Sequence, residues 1–136
     1  MSEELGTLDG QDDDDSAGPD QIRIDLWVRW ETPPPSEFAP TGCEVFERKG
    51  QVSWKLRAWD FAPPHWRDRQ LSVDQALDES LALIRQMNQL PPSLGRRAIQ
   101  LWIELHPKSM TAGIVLQPEL LRPLVEENVI VMLNAL

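Results

Sequence analysis

The sequence predicts an α+β domain, an open and mainly antiparallel sheet with two helices packed on one of its faces. Three observations carry that prediction. Several stretches alternate apolar and polar residues with a period of two, as half-buried strands do. Between them runs one long stretch with an apolar stripe at i, i+3, i+4 spacing, as in a helix lying on a core. Residues 97–136 then read as strand, loop, strand, short helix and strand.

Residues 21–30 (QIRIDLWVRW) place Ile22, Ile24, Leu26, Val28 and Trp30 on one face and Arg23, Asp25, Trp27 and Arg29 on the other, which makes them the first strand. Four prolines within residues 32–40 (TPPPSEFAP) dictate an extended surface loop. Lys49-Gly50 sets a hairpin between residues 44–48 and 51–59. In its second arm Val52, Trp54, Leu56 and Ala58 share one face, and Ser53, Lys55, Arg57 and Trp59 share the other. Residues 60–70, with Pro63-Pro64, read as a loop.

Ser72 and Gln75 have the spacing of a capping box, and Leu71 stands where a hydrophobic staple would, so the long helix is expected to start at Ser72. It runs to about Leu90 and buries Val73, Ala76, Leu77, Leu81, Ile84 and Met87. Pro91-Pro92 ends it, and a turn containing Gly95 leads to a strand at Arg97. There Ile99, Leu101, Ile103 and Leu105 alternate with Gln100, Trp102, Glu104 and His106. The turn formers of residues 106–113 (HPKSMTAG) and the extended apolar run 113–116 predict a hairpin. Pro118 opens a short helix that Pro123 interrupts, and Asn128 ends it in the left-handed conformation. Residues 129–133, apolar on both faces, are expected as an interior strand.

Composition divides the chain near Asp20. Residues 1–20 hold eight Asp and Glu and no Lys or Arg, and so carry eight of the chain's nine units of net negative charge. Such a segment buries too little apolar surface to offset its ordering entropy, which predicts an acidic, disordered tail ahead of a single α+β domain over 21–136. The lone Cys43 excludes an internal disulfide. A basic-then-apolar leader and a membrane-length apolar run are both lacking, so the expectation is a cytoplasmic protein that does not enter a membrane.

The SWKL stretch at Ser53, the SVDQALDESLALI helix, the AIQLWIEL strand, the GIVLQPELLRPL segment and the apolar C-terminal strand together resemble the DUF4279-type family of small, uncharacterised bacterial proteins. The likeness spans most of residues 21–136 and rests on spaced tryptophan, glycine, proline and leucine rather than on reactive side chains. The chain departs from the family where members tend to carry a short helix after the first strand, having a proline-rich loop there. The resemblance implies the fold and a bacterial origin. Because some related small proteins are thought to neutralise toxins, it also implies an immunity-type role as one specific expectation.

Catalytic chemistry finds little support. Cys43 with His65 or His106 would be the only nucleophile pair, and nothing in the spacing brings them together. One cysteine and two histidines 41 positions apart lack chelating spacing, no glycine-rich phosphate loop occurs, and Glu126-Glu127 point apart on a helix; no metal and no cofactor is expected. The alternative from the enzyme class is a small catalytic or ligand-binding domain using the 106–113 loop with His106 and Lys108.

The informative constellation is the face of the sheet away from the helices. If the aliphatic sides of the strands pack on the helices, Arg23, Trp27, Arg29, Lys55, Arg57, Trp59, Trp102 and His106 all emerge opposite. Interleaved indoles and cations mark a contact surface, because exposed indole is costly and Trp and Arg dominate interface energetics. The expectation is therefore a non-enzymatic protein-interaction module that binds a protein partner or its own copy as a homodimer. A purely structural reading has Trp and Arg stacking across strands, or the 60–70 loop with His65 and Trp66 folding over them. Nucleic acid is disfavoured, since the domain is near neutral and the tail repels phosphate.

Overall fold

Alternation builds the central strand as expected. The computed structural model describes residues 21–62, 65–106 and 114–135, and within them β1 (Gln21–Trp30) buries Ile22, Ile24, Leu26, Val28 and Trp30. β2 (Glu44–Arg48) and β3 (Gln51–Phe61) follow, joined by Lys49-Gly50, both at positive φ, the backbone that a two-residue hairpin turn of matching twist requires. α1 spans Trp66–Asn88, β4 Arg97–His106, α2 Pro118–Glu126 and β5 Val129–Ala135. The five strands form one sheet in the order β2-β3-β1-β4-β5, antiparallel throughout except for the parallel pair β4–β5, which α2 connects. Both helices lie on the aliphatic face. Val73, Ala76, Leu77, Ile84 and Met87 of α1 and Leu124 of α2 join the strand residues in one core, in which the Trp30 and Trp54 rings meet edge to face at 4.9 Å. The α+β fold with an open, mainly antiparallel sheet is what the periodicities predict.

Four local expectations are corrected. The long helix begins at Trp66 rather than Ser72, so residues 66–70 are helix and not loop. Asp68 favours the new first turn through the helix dipole, and the Arg69 amide donates to the His65 carbonyl; Ser72 lies well inside the helix, where its capping-box spacing has no role. Residues 114–117 are not a strand among the described residues. The amide and carbonyl of Val115 are instead satisfied by one side chain, the Oε1 and Nε2 of Gln70 on α1, at 2.8 and 2.6 Å. β5 is an edge strand rather than an interior one, since among the described residues it pairs with β4 alone. Apolar side chains on both faces suited either position.

The fourth correction moves side chains between faces. The β1–β3 register shifts between Leu26 and Trp27: Leu26 pairs with Arg57 but Trp27 with Lys55, leaving Leu56 as the extra residue of a β-bulge. Beyond it Arg57, Trp59 and Phe61 pair with Leu26, Ile24 and Ile22, all core residues, so this half of β3 turns its odd-numbered side chains toward the helices. The proline-rich loop carries one 3₁₀ turn, Ser36–Phe38, and Asn128 adopts the left-handed conformation expected of it, with φ of 64°. Residues 1–20 lie outside the described residues, as do all but His106 of the 106–113 loop.

Candidate protein-binding face

The registers assemble the face away from the helices row by row. One row runs Glu44, Lys55, Trp27, Gln100 and Ile130 across all five strands; the next runs Ala58, Asp25, Trp102 and Met132; a third runs Asp60, Arg23, Glu104 and Asn134. Phe46 stands across from Ser53, and Ser53 across from Arg29. Of the eight residues expected here, six are present: Arg23, Trp27, Arg29, Lys55, Trp102 and His106.

Arg57 and Trp59 are not. The bulge puts them on the helix side, where both bond to one α1 carboxylate: Trp59 Nε1 donates to Glu79 Oε1 at 3.0 Å, and Arg57 Nη2 lies 3.2 Å from the same oxygen. The Arg57 guanidinium also sits over the Trp59 ring, 5.3 Å from its centroid.

The six that remain are held in defined positions. Trp27 is half-buried, with the Phe46 ring at 5.4 Å and the Lys55 ammonium 5.3 Å above its own ring. Lys55 in turn reaches Glu44 at 3.8 Å. Gln100 Oε1 accepts from both the Arg29 Nε, at 2.9 Å, and the Trp102 indole N–H, at 3.1 Å, so one amide orients an indole and a guanidinium on neighbouring strands. Arg23 pairs with Asp25 at 3.3 Å, and Asp25 is only 8% exposed, shut in along its row by Trp102. His106 lies 3.8 Å from Glu104. Cross-strand contacts with Phe46 and Lys55 thus cover Trp27 in part, while the stack of Arg57 on Trp59 lies within β3 on the helix side. Of the stretch expected to fold over the indoles, residues 66–70 belong to α1 on the opposite face, and Pro63, Pro64 and the Trp66 side chain lie outside the described residues.

Three contributors escaped the sequence reading: Phe46, 46% exposed, Met132 and Ile130. Phe46 was accessible to inference, because a two-residue turn at Lys49-Gly50 fixes Phe46 opposite Ser53. Met132 and Ile130 were not, since no local signal shows that β5 runs parallel to β4. Beside this face β2 ends and leaves residues 56–61 of β3 without an outer partner among the described residues; a cleft of about 630 Å³ opens there, lined by Arg23, Glu44, Lys55 and Leu56 together with Pro40 and Gly42 of the preceding loop.

The groups suited to chemistry are scattered. Burial, and then the Glu44 carboxylate beside it, push the Cys43 thiol above its ordinary range, which disfavours the nucleophilic thiolate. Among the described residues no group of three or more His, Cys, Asp or Glu is arranged to hold a metal ion, and no helix is long and apolar enough to cross a membrane. Of the alternative site, Lys108 and residues 107–113 lie outside the described residues. Comparison with family models, curated proteins and solved structures finds no match.

Proposed function

We propose that this chain is a non-enzymatic, cytoplasmic protein-binding module that docks its partner on the face of the sheet away from the helices. The observation that carries the reading is the set Trp27, Phe46, Trp102 and Met132 on that face, with no helix over it among the described residues. Aromatic and methionine side chains ringed by charge are the composition of an interface centre with its rim. The charges favour protein over nucleic acid: Arg23, Arg29 and Lys55 are matched by Asp25, Glu44, Asp60 and Glu104 on the same face, whereas a strand-tracking surface needs unmatched cations for phosphates.

The more specific version is a bacterial immunity-type protein that neutralises a toxin, a reading that rests on the resemblance of most of residues 21–136 to small uncharacterised bacterial proteins. The test is capture of a partner from source-cell extract with the wild-type chain and with a Trp27→Ala/Trp102→Ala variant. The partner should be lost on the double variant, with the thermal melt still cooperative, and retained on Arg57→Ala, whose side chain faces the helix. Equal capture by all three chains would remove the face from the mechanism. A captured toxin whose activity falls on adding the chain would support the immunity version.

A further inference from the structure

The two edges of the sheet are built differently. β2 is five residues long, carries Glu44, Glu47 and Arg48, and lies against a bulged strand, all devices that discourage further strand pairing. β5 (VIVMLNA) has seven residues with no charge and no proline, and among the described residues nothing pairs with its outer edge. Apolar side chains flank that edge on both sides of the sheet. Ile130, 51% exposed, lies on the open face, and Leu133, 52% exposed, lies on the helix side. Single exposed aliphatics need no explanation, but Ile130 and Leu133, one on each side of a row of backbone N–H and C=O groups left unpaired among the described residues, form the lips of a strand-sized slot.

We infer that a second copy of this chain fills the slot: two β5 strands pair antiparallel, edge to edge, and join the two five-stranded sheets into one. The occupant must be an uncharged strand, apolar on both faces, and β5 itself meets that requirement. An antiparallel seam generated by a two-fold axis puts Ile130 and Met132 of both copies on one side and Leu133 of both on the other, so each apolar lip meets its own kind. The seam also manages the net charge of −9 per chain. Gln21 pairs with His106, at the end of the sheet where Leu105 meets Ala135, so an antiparallel seam sets the two Gln21 residues at opposite ends of the joined sheet. The acidic segments attached there then start far apart, whereas a parallel seam would start them from the same end. The two open faces become contiguous, so a partner bound there would meet two copies of Trp102 and Met132.

A seam of this size lies at the small end of specific interfaces, so pairing should depend on concentration. Sedimentation of the full chain through the micromolar range should show a mass rising from 15.5 kDa to twice that value and no further. Ile130→Lys and Leu133→Lys should each return it to the single-chain mass, whereas Val45→Lys, at the β2 edge, should leave the pair intact. Hydrogen exchange on the wild-type chain supplies a readout independent of any variant: amides of 129–135 should gain protection as concentration rises. A single-chain mass throughout would overturn the inference in favour of a foreign strand or none, and growth past the dimer would overturn the closed two-fold seam. A dimer without added protection in β5 would place the contact elsewhere. Trp27→Ala/Trp102→Ala should dimerise normally, which separates failure of this inference from failure of the docking face.

Discussion

The two faces of this sheet are both rich in tryptophan, and the difference between them lies in what the indoles touch. On the helix side Trp30 and Trp54 are closed off from solvent, edge to face with one another among the core Ile, Leu and Val. Trp30, at the end of β1, also carries a cation, the Arg97 guanidinium 4.9 Å from its ring centroid. On the open side Trp27 and Trp102 are half-buried and held by a phenyl ring, an ammonium and an amide oxygen. An indole among aliphatics contributes transfer free energy and packing, and its loss leaves a cavity. An indole positioned by polar neighbours at the surface contributes little to folding and keeps its apolar area for something else.

The largest expected effect tests that contrast directly. Trp54→Ala should destabilise the chain by about 3–5 kcal/mol, as deletion of a buried aromatic does. Trp27→Ala should lose only the cross-strand contacts, about 1 kcal/mol. Urea denaturation of the two variants measures both. A Trp27→Ala cost equal to that of Trp54→Ala would mean that the two faces are equally core, and the docking surface would be gone.

A smaller effect sharpens the boundary between the faces at the bulge. Glu79→Ala removes the acceptor of Trp59 and the partner of Arg57, both on the rim of the helix side. It should cost on the order of 0.5–1 kcal/mol, the range of an exposed pair with one hydrogen bond, and leave partner capture unchanged. Reduced capture at unchanged stability would return Trp59 and Arg57 to the binding face.

That bulge also marks where the sequence stopped being legible. β1 and β4 could be read because each keeps a single parity from end to end, so counting by twos assigns every side chain. β3 holds two parities: Val52, Trp54 and Leu56 on even numbers, then Trp59 and Phe61 on odd ones. An apolar set that changes parity inside one strand is the trace of an inserted residue, and reading the first set through to Ala58 sent Trp59 and Arg57 to the wrong face. The helix start was missed for a related reason. The Ser72–Gln75 spacing is a sound local signal, but residues 66–71 are equally able to propagate a helix, and Gln70 is held on α1 by its bonds to Val115. The edge position of β5 depends on a parallel crossover, a long-range fact that no local window contains.

The smallest expected effect lies at the rim between the faces. Cys43 packs against the core, while its neighbour Glu44 opens the outward row. Burial, and then the Glu44 charge, raise the thiol above its ordinary 9.0. The folded state therefore holds this proton more tightly than the unfolded chain. The resulting stabilisation is fully present below the unfolded thiol's titration and is lost as pH climbs through the folded value, a window opening near pH 9. The chain has no tyrosine, and contributions from groups other than the thiol cancel when wild type is compared with Cys43→Ala. The stability difference between the two should shift against the wild type from pH 8 to pH 10, and alkylation by iodoacetamide at pH 8 should be slower in the native chain than in urea. A native rate equal to that in urea would mean that the loop before β2 leaves Cys43 open to solvent, and that the rim between the faces is unsealed.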